Sequence, residues 1–586
     1  MRKFFLGFAV GIAFVALAFI VFVAILFFAT GNRQPRVEAN SALILDLRGD
    51  LPEQSAVEFP IPGFQRGGHH MTVAETWQTL RHATNDPKIK ALIIEPQGLN
   101  VGWAKLQELH SDILAFKKSG KPVYAYLRGA GTKEYYLATA ADRILMAPED
   151  ELDVKGMRAE LMYLKGTLDK LGVQMEFEHV GKYKDAPDMF TKTGSSPETR
   201  EVLNQLLDQF YGDFICTVAT GRKQTPEAVR AIVDRGPFVG KQAVDDKLVD
   251  ALLYGEQAID QLKEQLKLKK LETISVSAYF SAVKPEDGGS RVALLVGQGE
   301  ITRGESSGYN DNDGIRSVDM IRRLRQVRDD DSIKGVILRV DSPGGDGIAS
   351  DDILHEVKLL SQKKPLIISM SDLAASGGYF IAMSGDPILA YPNTETGSIG
   401  VFFGKANLRG LYDKLGLNKE ILKRGQFADI DTDYSALNDT QRAKLRTEIE
   451  IFYKSFVELV AGARKRKYGD VEPLAQGRVW TGTQGKQNGL VDELGGLDRA
   501  IEMIRERAKL SSGDKINLVA YPGQRSILDL LFDRDGDFET RLSSLIAGPI
   551  QTGISAKLRE LTGDLPLGSL SRGGILRLRT FSVVVK

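Results

Sequence analysis

Ser376 lies in a sequence context that suits a nucleophile. It follows an apolar run, Leu366–Ile368, that predicts a buried strand, and it precedes Tyr379–Met383, whose apolar stretch predicts a buried helix. A serine at such a strand-to-helix turn exposes its hydroxyl, and the amide of Gly377 points toward whatever the hydroxyl attacks. The alternative is a serine that only caps a helix, with glycines that allow close packing. On this stretch alone, the capping role is favoured over the catalytic one.

A nucleophilic serine needs a base, and Lys184, the last residue of Gly181–Lys184, is the candidate. A lysine can take a proton from serine when burial lowers its pKa toward neutrality. None of the six histidines sits at a position matched to the serine, although His179 lies five residues before Lys184. Taken alone, Lys184 is typical of a solvated surface charge, because most lysines are exposed.

The chain repeats itself, and the repeat changes this balance. Lys88–Ile94 matches Ser332–Leu338 at an offset of 244 positions, 332 minus 88. Further matched pairs follow in the same order: Tyr135–Ala138 with Tyr379–Ala382 and Leu168–Gly172 with Tyr412–Gly416, both at 244, and Leu248–Asp250 with Leu490–Asp492 at 242. The protein is therefore a tandem duplication.

Each half of the duplication serves as a control for the other. At the offset of 244, Ser376 maps onto Thr132, and Lys184 maps onto Ala428. The other candidate groups are lost from the first half in the same way: Gly377 maps onto Lys133, Ser398 onto Val154, and the glycine pair of Asp341–Gly345 onto Asn100 and Val101. One half thus carries the serine and the other carries the lysine, and this reciprocal pattern favours a functional pair.

Alternating strand-like and helix-like runs predict an α/β fold with much parallel sheet. The runs of the first half are Ser41–Arg48, Ala91–Glu95 and Val123–Leu127 as strands, with Leu106–Lys118 and Tyr135–Ala141 as helices. A Pro-, Gly- and charge-rich linker at Ser281–Ser290 precedes a new strand at Val292–Val296. We therefore predict a first half at 41–280, a second half at 290–525 and a C-terminal extension at 526–586.

Composition excludes several classes of function. The 77 basic residues balance the 77 acidic ones, which argues against nucleic acid as a partner. Cys216 is the only cysteine, so the chain has no internal disulfide, and the histidines show no metal-ligand spacing. No nucleotide motif is present, so we expect neither a cofactor nor a metal.

The N-terminus predicts a membrane anchor. Phe4–Ala29 is a run of 26 uncharged residues, about 39 Å long as a helix, which spans a bilayer with some tilt. It is too long for the apolar core of a cleavable signal peptide. We expect a single-pass protein of the inner (cytoplasmic) membrane, bound to lipid through this helix. The N-terminus would lie inside and both halves on the outer, periplasmic side.

These features together resemble the signal peptide peptidase A (protease IV) family in its long tandem form. The stretches that carry the resemblance are Gly181–Lys184, Ser342–Gly345, Ala375–Tyr379 and Thr396–Gly400. The resemblance covers nearly the whole chain and implies the Clp-protease/crotonase fold in both halves. It further implies a membrane-anchored homo-oligomer, a tetramer, that degrades remnant signal peptides and similar apolar, extended peptides.

The resemblance also implies a role for each candidate residue. Ser376 is expected to be the nucleophile and Lys184 the general base, with the amides of Gly345 and Gly377 forming the oxyanion hole. Ser398 is expected to hydrogen-bond the lysine amine.

Two charged neighbours of Lys184 complicate its assignment as the base. Asp185 stands where the family more often has a small residue, and a carboxylate beside the amine would raise its pKa unless strand alternation points it away. Lys182 would share a face with Lys184 in a strand, although the motif register favours Lys184.

Two other classes of function remain open at this stage. A crotonase-like acyl-CoA enzyme would share the paired oxyanion amides, but it needs neither the anchor nor the Ser/Lys pair. A non-catalytic membrane scaffold would keep the fold alone, but only the first half looks degenerate in that way, and Ser376, Lys184 and both glycine pairs are intact.

Overall fold

The computed structural model describes residue 11 and residues 35–54, 71–283, 288–305, 314–511, 513–521, 575–578 and 584–585. The predicted anchor, Phe4–Ala29, lies outside these ranges except for Gly11. Within them, no helix combines the length and the apolar character needed to cross a bilayer.

The first half has strands and helices in alternation, as predicted. Its strands are β1 (Ser41–Gly49), β2 (Ile89–Leu99), β3 (Val123–Leu127), β4 (Ala130–Gly131), β5 (Arg143–Met146), β6 (Glu151–Asp153), β7 (Ala159–Glu160), β8 (Gln174–Val180), β9 (Phe238–Val239), β10 (Ala251–Leu252) and β11 (Glu272–Ser275). Its helices are α1 (Val73–Asn85), α2 (Trp103–Lys117), α3 (Thr132–Ala138), α4 (Lys165–Leu171), α5 (Asp188–Thr191), α6 (Pro197–Arg222), α7 (Pro226–Val233), α8 (Gly240–Asp245), α9 (Gly255–Gln265) and α10 (Val276–Val283).

The second half repeats this order and begins at Ser290. Its strands are β12 (Ser290–Gln298), β13 (Ile301–Thr302), β14 (Ile315–Arg316), β15 (Ile333–Ser342), β16 (Gly344–Asp346), β17 (Leu366–Ala375), β18 (Ile388–Ala390), β19 (Glu395–Gly397), β20 (Val401–Asn407), β21 (Val479–Thr481), β22 (Glu493–Leu494) and β23 (Ile516–Tyr521), followed near the C-terminus by β24 (Ile575–Leu578) and β25 (Val584–Val585). Its helices are α11 (Ser317–Asp329), α12 (Gly347–Lys363), α13 (Gly377–Ile381), α14 (Arg409–Leu415), α15 (Asp439–Ala463), α16 (Tyr468–Val471), α17 (Gly482–Asn488) and α18 (Leu497–Arg507).

Each half is built on a largely parallel sheet. The orders are β10-β5-β3-β2-β1-β11 in the first half and β21-β19-β17-β15-β12-β23 in the second. Strand β15 is buried along most of its length and β2 along its first eight residues apart from two partly buried positions, as expected for a parallel sheet covered by helices on both faces. Equivalent contacts repeat as well: the hydroxyl of Tyr135 donates to Leu248 O and that of Tyr379 to Leu490 O, both at 2.8 Å.

Helix starts follow local capping rules. Thr72 caps α1 by accepting a hydrogen bond from the Glu75 amide, while the Glu75 carboxylate accepts from the Thr72 amide. Asn438 and Gln441 form the same reciprocal box at the start of α15. Such caps position the long helices that pack over the sheets.

A third sheet joins the two halves. Its order is β14-β13-β16-β24-β20-β8, so that β8 from the first half ends a sheet of second-half strands. β8 pairs with β20 in antiparallel register from Gln174 opposite Asn407 to Val180 opposite Val401. Arg442 reinforces the contact, with its guanidinium 2.8 Å from Glu176 and 3.0 Å from Glu178. The residues that immediately follow β8 are therefore carried into the second half.

Candidate active site

Ser376 lies at a sharp turn between β17 and α13. The strand is longer than predicted, since it runs to Ala375, and α13 is a short helix that begins at Gly377. Ser376 has φ 55° and ψ −114°, outside the usual regions for a residue with a side chain. Its amide donates to Gly397 O at 2.8 Å, and its carbonyl accepts from the Phe380 amide at 2.8 Å. This strained turn directs the hydroxyl away from the strand.

Lys184 reaches this turn from the other half of the chain. It lies in a turn after β8, where the sequence reading allowed a strand, and the Tyr183 amide donates to Gln476 O at 2.9 Å. Gly477 makes room for the lysine, because a Cβ there would lie 2.6 Å from the Cβ of Lys184. The β8–β20 pairing thus delivers the lysine side chain into the second half.

The structure brings Lys184, Ser376 and Ser398 together. Lys184 Nζ lies 3.0 Å from Ser376 Oγ, 3.0 Å from Ser398 Oγ and 3.2 Å from Ser398 O. All three residues have 0% relative exposure. A neutral amine at this position accepts the serine proton directly, so the arrangement can act as a nucleophile–base pair.

Other candidates near the lysine do not join this group. Lys182 is exposed, with its Nζ 4.6 Å from the centre of the Tyr183 ring. His179 is also exposed, with its Nδ1 3.3 Å from Gly181 O. Of the residues considered as bases, the structure therefore places Lys184 beside the serine.

Gly345 and Gly377 also lie side by side next to the serine. A Cβ at Gly377 would lie 3.0 Å from the Gly345 amide nitrogen and 2.8 Å from Ser350 Oγ. Gly345 has φ +152°, and a Cβ there would lie 2.0 Å from Ile301 O. Both positions therefore require glycine, and their neighbouring amides are donors that a developing oxyanion could use.

Gly345→Ala is expected to lower kcat by roughly 100- to 1,000-fold, the usual cost of losing one oxyanion donor. The added methyl group collides with the Ile301 carbonyl and displaces the loop that carries the amide. Steady-state kinetics on a fluorogenic peptide measure the effect. Gly462→Ala in α15 is the matched control, because its Cβ meets no heavy atom within 4 Å. An unchanged kcat for Gly345→Ala would remove Gly345 from the oxyanion hole.

Asp185, which the sequence analysis noted beside the base, is buried rather than turned away by strand alternation. The Thr199 hydroxyl, in the first turn of α6, donates a hydrogen bond to Asp185 Oδ2. Asp185 Oδ1 is buried without a hydrogen-bond partner among the described residues. Burial raises the pKa of this carboxyl from an ordinary 3.8 to about 8. With a pKa of about 8, the carboxyl is mostly protonated at neutral pH, which reduces the negative charge beside Lys184.

Asp185→Asn is expected to keep peptidase activity within a few-fold of wild type at pH 7, because an amide mimics the neutral carboxyl. Relative to wild type, the variant should also become more stable as pH rises. The unfolded aspartate loses its proton near 3.8 and the folded one near 8, so the cost of protonating it on folding grows across that window. Asparagine carries no such cost. Melting temperatures at pH 5 and pH 9 test this: an advantage for Asn that is equal at both pH values contradicts a neutral Asp185.

Sequence reasoning missed a clamp that holds the lysine turn against the second half. The Arg478 guanidinium lies 4.6 Å from the ring centres of both Tyr183 and Trp480, and 2.7 Å from Glu201 of α6. The Arg478 carbonyl accepts from the Ser398 amide at 2.7 Å. The signal was present in the repeat, because the offset of 242 sets Gly477 and Arg478 against Arg235 and Gly236.

The chain is similar in sequence to several known proteins. The family model described as peptidase family S49 matches residues 115–269 and 358–511. The chain is 34% identical to "Serine protease SPPA, chloroplastic" of Arabidopsis thaliana, over 83% of this chain and 72% of that protein. It is 31% identical to "Protease 4" of Salmonella typhi, over 84% of this chain and 82% of that protein. A shorter relative, "Putative signal peptide peptidase SppA" of Enterococcus faecium, is 29% identical over 46% of this chain and 73% of its own length.

Proposed function

Since the chain belongs to peptidase family S49 and is a serine peptidase, we propose that it is an endopeptidase that works through a Ser376/Lys184 dyad. The observation that carries this proposal is the distance of 3.0 Å between Lys184 Nζ and Ser376 Oγ, two buried groups from different halves. Family membership also decides against the acyl-CoA enzyme and the inert scaffold.

The proposed reaction is acyl transfer from a peptide bond. Neutral Lys184 takes the proton of Ser376 as its oxygen attacks the scissile carbonyl, and the amides of Gly345 and Gly377 hold the oxyanion. Protonated Lys184 then gives its proton to the leaving amine. Water activated by the same amine attacks the acyl-enzyme and releases the second product. Ser398 holds the amine in line with the serine through its hydroxyl and its carbonyl.

The third sheet offers a binding mode for an extended peptide. β24, a strand of this chain, lies between β16 and β20 and pairs antiparallel with both. Gly345 of β16 is one of the residues it pairs with. A substrate strand in the same slot would satisfy its backbone on both sides and carry its carbonyls past the proposed oxyanion amides. This slot supports a preference for extended peptides over folded chains.

We further propose that the substrates are remnant signal peptides and similar apolar peptides. The motif resemblance and the name of the Enterococcus relative support this class. The uncharged run Phe4–Ala29 supports a single-pass anchor in the inner membrane with the catalytic halves on the outer side. We also propose that the protein forms a homo-oligomer, which the family resemblance implies is a tetramer.

The test of the dyad is covalent labelling of the full-length protein in detergent. A peptidyl fluorophosphonate should form one adduct, and digestion followed by mass spectrometry should locate it on Ser376. Ser281→Ala, at an exposed serine of the first half, is the matched control, because it leaves the proposed site intact while Ser376→Ala removes the nucleophile. An adduct that persists in Ser376→Ala protein would overturn the assignment.

Localisation and substrate class need separate measurements. Carbonate-washed membranes should retain the protein, and protease added to the outer face should digest both halves in intact spheroplasts. Extraction by carbonate, or protection from protease, contradicts the anchor or its orientation. Apolar peptides should be cleaved with a higher kcat/KM than acidic peptides of equal length, and the reverse order would exclude the proposed substrates.

A further inference from the structure

A second buried group of charges crosses between the halves, close to the dyad but separate from it. Lys105 Nζ, on α2 of the first half, lies 2.7 Å from Asp341 and 3.7 Å from Asp372, both in the second half. The exposed fractions of the three side chains are 6%, 12% and 18%. Although burial disfavours a charged amine, Asp341, Asp372 and Glu53 together keep the pKa of Lys105 above its ordinary value. Lys105 is therefore a fixed cation rather than a base.

Asp372 also caps α2 from the other half. It accepts hydrogen bonds from the Gly102 amide at 2.9 Å and the Lys105 amide at 2.8 Å. Gly102 is the N-cap of α2 and supplies no side chain of its own, and a Cβ there would lie 2.2 Å from Asp372 Cγ. The equivalent helix of the second half, α12, is capped by its own Asp346, whose Oδ1 accepts two amides at 2.9 Å. Gly102 and Asp346 occupy matched positions of the repeat, because 346 minus 244 is 102.

The partners of this buried charge group are divided between the two halves, as Ser376 and Lys184 are. At the offset of 244, Lys105 maps onto Ala349, Asp341 onto Gln97, and Asp372 onto Arg128. Each half has therefore kept one side of the contact and lost the other. A contact that only stabilised each domain separately would have no reason to be divided in this way.

Both carboxylates stand four residues before a group of the proposed reaction. Asp341 precedes Gly345 at the end of β15, and Asp372 precedes Ser376 near the end of β17. Asp341 Oδ1 also accepts from the Leu373 amide at 3.1 Å, which joins the two strand ends. Lys105 forms ion pairs with both carboxylates at once, so its position fixes Gly345 of β16 relative to Ser376.

We propose that Lys105 is a positioning residue for catalysis: by bridging Asp341 and Asp372 it sets the spacing between the Gly345 amide and Ser376 Oγ. The proposal rests on the Ser376/Lys184 mechanism and extends it, since the first half then supplies the geometry of the oxyanion hole as well as the base. Lys105 touches neither the substrate nor the reacting atoms, and it acts through the two strand ends.

The test is the kinetics of full-length Lys105→Met, normalised to the fraction of sites that a peptidyl fluorophosphonate labels. We expect kcat to fall roughly 10- to 100-fold, because small misplacements of catalytic groups cost that much, while KM changes by less than about threefold. An oxyanion contact acts in the transition state and contributes little to substrate binding. Lys105→Arg, which keeps the charge and reaches both carboxylates, should recover most of kcat.

Lys117→Met is the matched control on the same helix. Lys117 Nζ pairs with Asp142 at 2.9 Å within the first half, and its side chain is 34% exposed. It should leave kcat unchanged. If Lys105→Met does not fold, the triple variant Lys105→Met, Asp341→Asn, Asp372→Asn removes the stranded carboxylates and should still show the low kcat.

Two results overturn the positioning role. One is a wild-type kcat per labelled site in Lys105→Met or in the triple variant, and the other is a loss confined to KM. Either result leaves the proposed function standing if Ser376 is labelled and Lys184 is essential. Failure to label Ser376 in wild-type protein would instead refute the proposed function itself.

Discussion

Lys184→Met protein is expected to keep its fold and to cleave peptides about 1,000-fold more slowly than wild type, within the usual range for loss of a general base. Methionine fills the channel that the lysine stem occupies, where a Cβ at Gly400 would lie 3.0 Å from Lys184 Cδ. It offers Ser376 no proton acceptor, however, so the serine stays a weak nucleophile. The measurement is kcat/KM on a fluorogenic peptide, with melting temperature as the check on folding.

Lys182→Met is the control for this variant. Lys182 lies two residues away and is exposed against the Tyr183 ring, so its replacement should leave kcat/KM near wild type. Near-normal turnover by Lys184→Met, together with loss of activity in Lys182→Met, would show that the base has been misassigned.

A one-to-one mixture of Ser376→Ala and Lys184→Met chains, dissociated and reassembled together, is expected to stay at the background rate. The 3.0 Å contact joins a serine and a lysine of one chain, 192 positions apart. Every site in the mixture then lacks either its nucleophile or its base, whatever the number of chains in the assembly. The measurement is peptide cleavage by the mixture relative to wild-type protein taken through the same procedure.

A mixture of Ser376→Ala with Lys182→Met controls for the exchange procedure and should retain the activity of its Lys182→Met chains. If the first mixture instead recovers a substantial fraction of wild-type activity, the dyad is completed by a neighbouring chain.

The reciprocal losses between the halves carried most of what the sequence could predict about the site. Because Ser376 and Lys184 have no counterparts at Thr132 and Ala428, comparison of the halves singled out both residues, and the structure brings them to 3.0 Å. The alternating strands and helices also followed from local patterns, since a buried parallel strand is a short apolar run.

Long-range pairing could not be predicted in the same way. The sequence reading allowed a strand at Lys184, whereas the strand ends at Val180 and the lysine lies in the turn that follows. The strand's partner, Val401–Asn407, is more than 200 residues away, and no local pattern encodes that register. The Lys105–Asp341 contact was missed for the same reason, since 236 positions separate its partners.

The neutrality of Asp185 was also beyond local reasoning. Its pKa depends on burial against the start of α6, which is a property of the packed structure. The sequence shows an acid beside the proposed base, but whether that acid is charged depends on the three-dimensional surroundings of its carboxyl.

The placement of the lysine before the serine along the chain also bears on the order of biosynthesis. Ser376 follows Lys184 by 192 positions, and a ribosome that adds about 5 to 20 residues per second needs roughly 10 to 40 s to make that stretch. A nascent chain therefore carries its base through this interval without a nucleophile to activate. On the proposed mechanism, peptidase activity would begin only when the second half has been made and has closed on the first, so the division of the dyad between the halves would delay proteolysis until late in synthesis.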